Sequence, residues 1–305
     1  MKSTRLSLFV AVLLVVALLS GCQYVEQLKA RDKLNKGVKA FRGKNYDEAI
    51  EFFTQAVELD PELNIVYEYL GITYMKRYMP GKDDVAGAAI ASFRQAWEND
   101  PKNVNIILHL ARTYYITGDY DQAAQCYEQI HNEIDPQNPM PLFGIGLIKW
   151  GEAKDWIGDN GQRAEELFEA AQQAQESNDA KQTEIEGLQR RLSRARNDET
   201  RLEIEEQIAG LQLEIEAQME TINQPTVVRE IVDLAINALQ KSNELKEDYM
   251  TVRYLSLCHF QKSSLAETEE EKTEFRKQAS RLAIKELQLK KQQEQEGAEA
   301  GATVF

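Results

Sequence analysis

The stretch GVKAFRGKNYDEAIEFFTQAVELDP, residues 37–61, decides the fold. Small residues stand at Gly37 and Ala49, an aromatic follows at Phe53, a further small residue at Ala56, and Pro61 closes the run. Tyr46 precedes a second helix that opens on Asn45-Tyr46-Asp47-Glu48-Ala49. The sizes have a cause: Gly37 and Ala49 let two antiparallel helices approach closely, Phe53 fills the gap between neighbouring pairs, and Pro61 stops the second helix.

The same landmarks return downstream. A second copy has Tyr67, Leu70, Gly71 and Tyr74, then Ala89, Phe93, Ala96 and Pro101. About six extra residues around Met79-Pro80-Gly81-Lys82-Asp83-Asp84 carry turn signals and lengthen its inter-helix loop. A third copy reads Ala111, Tyr114, Gly118, Asp119, Tyr120, Ala123, Tyr127 and Pro136, with Ile130 in place of the small residue and Pro136 one position late. A degenerate fourth has Leu142, Gly146 and Trp150, then Ala164, Phe168 and Ala171, with Gly158-Asp159-Asn160-Gly161 at the turn.

These residues resemble the tetratricopeptide repeat, a helix pair with a period of about 34 residues. The resemblance implies an all-α superhelical solenoid of antiparallel helix pairs that binds proteins, with the first helix of each pair lining a concave groove. Carried over position by position, the groove residues are Leu34, Val38 and Phe41, then Tyr69, Ile72 and Met75, then Leu108, His109, Arg112 and Tyr115, then Phe143, Leu147 and Trp150. Family members that clamp a peptide carboxylate use Lys and Asn where this chain has Leu34 and Val38. An amphipathic helix or an extended apolar segment is the better fit, with aromatics as anchors and His109 and Arg112 as polar handles.

The amino terminus is separate. Lys2 and Arg5 precede an apolar run from Leu6 to Leu19, which is short for a membrane span and suits a secretory signal. It ends in Leu19-Ser20-Gly21-Cys22, which resembles a bacterial lipobox. That resemblance implies a signal peptide over 1–21, an acylated Cys22 and a short tether over 22–29. Two or three acyl chains give a stable anchor where one does not. Gln23 after the cysteine implies sorting to the outer membrane, facing the periplasm. Without Lys2 and Arg5 the 36 basic residues become 34 against 50 acidic ones, a formal charge of −16. Such a chain gains little from nucleic acid and is repelled by anionic lipid, so the expected membrane contact is the anchor alone.

From Lys181 to Ile222 the composition shifts to Glu, Gln, Arg and Leu. Ile185, Leu188 and Leu192 mirror Leu211, Ile208 and Ile204 about position 198, which predicts an antiparallel coiled-coil hairpin with Asn197-Asp198 as turn and cap. The expected organisation is repeats over 30–178, the hairpin over 179–222, degenerate helix pairs and a cap over 223–292, and a disordered tail over 293–305. In that scheme the returning arm ends near Ile222 and a new helix runs from Val227 to Leu245. The last helix opens with a Thr268–Glu271 capping box. The terminal Thr303-Val304-Phe305 resembles a ligand for PDZ domains.

No catalytic or metal motif competes with the repeats. His109, His131 and His259 are isolated, no Cys or His cluster has ligand spacing, and no phosphate-binding Gly loop or nucleophile elbow occurs. Cys126 and Cys258 fall at apolar positions far apart, where free buried thiols are expected. The expectation is a non-enzymatic envelope scaffold without cofactor, similar to repeat lipoproteins of the pilotin type that serve pilus, secretion or outer-membrane assembly. A ligand-binding component of a solute transporter, or an adaptor for an envelope hydrolase, are the other readings.

Overall fold

The structure, a computed structural model, describes residues 24–158 and 162–302. Cys22 and the lipobox, Asp159-Asn160-Gly161, and Thr303-Val304-Phe305 lie outside the described residues. Among the described residues the regular structure is entirely helical. Helix α1 covers residues 24–42, followed by α2 (Tyr46–Leu59), α3 (Asn64–Arg77), α4 (Asp83–Asn99), α5 (Val104–Thr117) and α6 (Tyr120–Gln129). A π-helical turn over Ile130–Ile134 extends α6; α7 (Pro139–Ile157), α8 (Ala164–Leu192), α9 (Asp198–Leu245), α10 (Tyr249–Ser264) and α11 (Glu269–Ala302) follow. The chain divides into two compact units after Gly144.

In the first unit, each aromatic of the second helices is seated on a glycine. A Cβ on Gly37 would stand 2.5 Å from the Phe53 ring, one on Gly71 2.6 Å from Phe93, and one on Gly144 2.4 Å from Tyr127. Only hydrogen at these positions lets the rings reach the helix backbone. Phe53, Phe93 and the alanines at 49, 56, 89 and 96 are buried, and each phenyl ring contributes about 2–3 kcal/mol through the area it removes from water. The inserted residues of the second copy form the loop between Arg77 and Asp83, where Gly81 takes φ +86°.

The late proline of the third copy has a backbone cause. The N–H groups of Asp60 and Asp100 donate to the carbonyls of Ala56 and Ala96, four residues back. The N–H of Asp135 donates to Ile130, five residues back, at 2.8 Å. The π turn therefore absorbs one extra residue and delivers Pro136 to the place that Pro61 and Pro101 occupy in their repeats.

In the second unit, α8 and α9 form an antiparallel hairpin. Asn178 Nδ2 donates to the carbonyl of Ile215 at 3.3 Å, and Lys181 pairs with Glu214 at 3.4 Å. Ile185, Leu188 and Ile204 are buried in the seam, while Leu192, Ile208 and Leu211 are half-buried. Asn197 caps the returning helix by accepting from the Thr200 N–H at 2.7 Å. Nearer the base, Gly146 lies against Leu239, which would sit 2.5 Å from an added Cβ.

Three boundaries differ from expectation. The returning arm does not stop near Ile222: α9 is one helix of 48 residues with Pro225 inside it. Proline removes a donor and crowds the carbonyl four residues back, a cost of about 3 kcal/mol. Pro225 is itself buried and opens the apolar face that continues through Val228, Ile231, Val232 and Ala235, so packing offsets the lost bond. Secondly, α11 runs past Gln292 to Ala302, because Gln, Glu and Ala are good helix formers even where no apolar stripe is present. Thirdly, the residues expected to form a short tether are already helical from residue 24. The Thr268 cap is half of the expected box: its Oγ1 accepts from the Glu271 N–H at 3.2 Å, but the Glu271 carboxylate takes the N–H of Glu267 instead of its reciprocal partner.

Candidate functional site

The helix pairing of the first unit turns one face of α3 and α5 into a groove. Ile72 and Met75 of α3 and His109 and Arg112 of α5 line a cavity of about 300 Å³, together with Lys76, Phe93, Thr113 and Ile116. Phe93 forms the floor, since Gly71 admits its ring between the helices. His109 stacks on that ring, with centroids 5.4 Å apart and planes 12° from parallel. Thr113 Oγ1 donates to the His109 carbonyl at 2.8 Å and keeps its hydroxyl off the cavity wall.

The wall is apolar with cations at its edge. Burial lowers the His109 pKa and the Arg112 guanidinium lowers it further, while Glu68, whose Oε1 is 4.0 Å from Nε2, opposes both. The imidazole is therefore neutral at neutral pH and offers one donor and one acceptor. Lys76 and Arg112 are exposed and available to an incoming carboxylate or carbonyl. The cavity can hold an apolar side chain and orient a polar neighbour.

The other residues expected in the groove have different settings. Leu34, Val38, Phe41 and Tyr69 are partly buried against the core of the first two helix pairs. Phe41 meets Tyr69 edge-on at 6.3 Å, and Tyr69 stacks on Phe53 at 5.4 Å. Leu108 and Phe143 are half-buried outside the cavity, and so is Tyr115, whose ring centroid is 5.6 Å from that of Tyr120. Leu147 and Trp150 fall in the second unit, where Trp150 meets Tyr254 edge-on at 5.0 Å and Lys154 Nζ lies 5.4 Å from its centroid. Of the cavity residues, Lys76, Thr113 and Ile116 escaped the sequence reading. Lys76 and Ile116 stand one helical turn after Ile72 and Arg112, and that spacing was the available signal.

The second unit has its own cavity, of about 600 Å³, between α9, α10 and α11. Gln240, Asn243, Glu244, His259, Gln278 and Arg281 line it, with Leu255 and Leu282. Beneath its surface, Asn243 Oδ1 and His259 Nδ1 are buried without a hydrogen-bond partner among the described residues. Among those residues no group of three His, Cys, Asp or Glu side chains has metal-binding geometry.

Comparison with known proteins agrees with the repeat spacing. Residues 30–63 and 86–139 match family models described as tetratricopeptide repeat. Small glutamine-rich tetratricopeptide repeat-containing protein 2 of Mycosarcoma maydis is 30% identical over 124 residues, which is 41% of this chain. The chain spans about a third of that relative's length, 32%. Among solved structures, the MamA protein aligns over 85% of this chain and 94% of its own, with TM-score 0.49 and 12% identity. PilF of Pseudomonas aeruginosa aligns over 82% and 97%, with TM-score 0.35 and 14% identity. The chain thus carries tetratricopeptide repeats in an all-α, tetratricopeptide-like fold of antiparallel helix pairs with an inserted helical hairpin. Repeats of this kind present extended binding surfaces, which points to protein partners.

Proposed function

We propose that the protein is a non-enzymatic, lipid-anchored scaffold of the bacterial cell envelope that holds another envelope protein during assembly or stabilisation of a pilus, secretion or outer-membrane complex. The observation that carries the binding part is the α3–α5 groove: an apolar cavity on Phe93, edged by Lys76 and Arg112. It suits one apolar anchor of an amphipathic helix or extended segment, followed by a carboxylate or carbonyl.

The anchoring part rests on the lipobox-like Leu19-Ser20-Gly21-Cys22, with outer-membrane sorting from Gln23. The start of α1 supports it, because Tyr24, Val25 and Leu28 are 64%, 48% and 50% exposed immediately after that sequence. With Glu26, Gln27 and Lys29 beside them, they make an amphipathic helix start of the kind that suits a bilayer interface.

Photo-crosslinking in cells from a probe at Met75, with adducts identified by mass spectrometry, tests the scaffold reading. A discrete envelope-protein adduct supports it; a folded protein without adducts sinks it. Metabolic labelling with a clickable fatty acid tests the anchor, and label retained in Cys22→Ser would refute acylation at that thiol.

One observation favours a second reading. The cavity of the second unit, lined by Gln240, Asn243, Glu244, His259, Gln278 and Arg281, suits a small polar ligand, as in a solute-binding component. Native mass spectrometry of protein purified from its own cells decides it: a retained small molecule supports this reading, and bare protein refutes it.

A further inference from the structure

The tip of the α8–α9 hairpin carries five arginines within twelve residues: Arg190, Arg191, Arg194, Arg196 and Arg201. All five are exposed, and none forms an ion pair or side-chain hydrogen bond among the described residues. Some cations elsewhere are paired, such as Arg77 with Asp47 and Arg229 with Glu267, but no other stretch of twelve residues gathers five arginines. The only carboxylates inside the cluster are Asp198 and Glu199, so the tip is basic in a chain of net charge −14.

Helix stability accounts for only part of this. Arg190 and Arg191 lie in the last turn of α8, where a cation favours the helix dipole. Arg196 and Arg201 flank the start of α9, where the dipole disfavours them, and Arg194 lies in the turn between. Three guanidiniums therefore sit where folding gives them no reason to be. The tip is also convex, with Leu202 59% exposed beside Arg201. A convex cluster of guanidiniums meets a flat array of anions more completely than it wraps a single peptide.

We infer that the hairpin tip docks on anionic phospholipid headgroups, giving the protein a membrane contact separate from its amino terminus. The acidity of the chain as a whole does not forbid this. The contact between Asn178 and Ile215 lies about 26 Å along the arm from the start of α9, whereas charge is screened within about 8 Å at physiological salt. Glu186 and Glu203 are set back along the arms, so a surface met end-on reaches the guanidiniums first. A net excess of three cations corresponds to a preference of about a hundredfold for anionic over neutral bilayers.

The test uses the full chain with Ser193→Cys carrying an environment-sensitive fluorophore, titrated with vesicles of equimolar phosphatidylglycerol and phosphatidylcholine or of phosphatidylcholine alone. The tip fluorophore reports contact there, whatever the amino terminus does. The expected result is a spectral shift with anionic vesicles only, reversed by salt, and abolished when all five arginines become glutamine. The changed side chains are exposed, and circular dichroism checks that the helices remain. No shift with anionic vesicles overturns the inference, as does an equal shift with neutral ones or a shift that persists in the glutamine variant. A shift with polyglutamate but not with vesicles would assign the patch to an acidic protein instead, and also overturns it.

Discussion

Gly71 and Phe93 touch so closely that a methyl group on Gly71 would stand 2.6 Å from the ring, while the ring also stacks His109 at 5.4 Å. One backbone position thus sets both a core contact and the floor of the α3–α5 cavity. Gly71→Ala must displace the ring, and overpacking of this kind costs about 1–3 kcal/mol. Gly87 provides the control: it is exposed inside α4 with nothing within 4 Å of an added Cβ. Gly87→Ala should stabilise by about 0.5–1 kcal/mol. Thermal melts of the two variants should move in opposite directions.

The histidines give the protein a defined acid sensitivity. Burial is the main cause lowering His109 and His259; Arg112 adds to it at the first and Lys262 at the second. A group whose folded pKa lies below its unfolded value leaves the unfolded chain holding more protons in between. Its contribution is complete above the unfolded value of about 6.5 and is lost as pH falls through the folded value. Stability should therefore decline as pH drops below about 6.5. His109→Gln and His259→Gln should each flatten that part of a melting-temperature profile relative to wild type.

The two described cysteines should resist thiol reagents. Burial raises Cys126 to about 11 and Cys258 to about 12, so at pH 8 the thiolate is scarce as well as inaccessible. Reaction with a disulfide reagent should be slow in native protein and fast in denaturant. Rapid labelling of either native thiol would contradict the burial of α6 or α10.

Pro225 marks where the sequence misleads. Pro225→Ala restores a donor for the carbonyl four residues back, a gain of about 3 kcal/mol, less about 1 kcal/mol for a looser unfolded chain and the packing of the lost ring. The variant should melt at a higher temperature. A lower one would mean that the buried ring contributes more than the missing hydrogen bond.

How far the sequence could be read depends on the kind of information each feature uses. The Gly37–Phe53 and Gly71–Phe93 contacts are local size complementarity at fixed spacing, and the apolar sets mirrored about position 198, Ile185 with Leu211 and Leu192 with Ile204, are a pattern that a hairpin buries. The continuity of α9 was hidden because the burial that offsets Pro225 comes from tertiary packing. The late Pro136 was visible as an anomaly, but only the bond from Asp135 to Ile130 explains it. The groove was legible as a face and not as a site: spacing selects residues that face one way, while side-chain contacts decide which remain open. Met75 and Ile116 stay open, whereas Phe41 and Tyr69 lean on each other.

That difference separates binding residues from packing residues by measurement. Ile116 is 47% exposed and Met75 half-buried, both on the cavity wall. Substituting Glu at either should change stability little, by about 0.5 kcal/mol, yet place a carboxylate where an apolar anchor is expected. Loss of an anchor costs about 2 kcal/mol or more of binding, so adduct yield from a crosslinker elsewhere in the groove should fall at least tenfold with melting unchanged. Phe41→Ala should do the reverse, because its ring packs on Tyr46 and Tyr69 at 5.8 and 6.3 Å. A lower melting temperature is its first effect, with any loss of adduct following from that. If Met75→Glu and Ile116→Glu leave the adduct intact, the partner does not use this cavity.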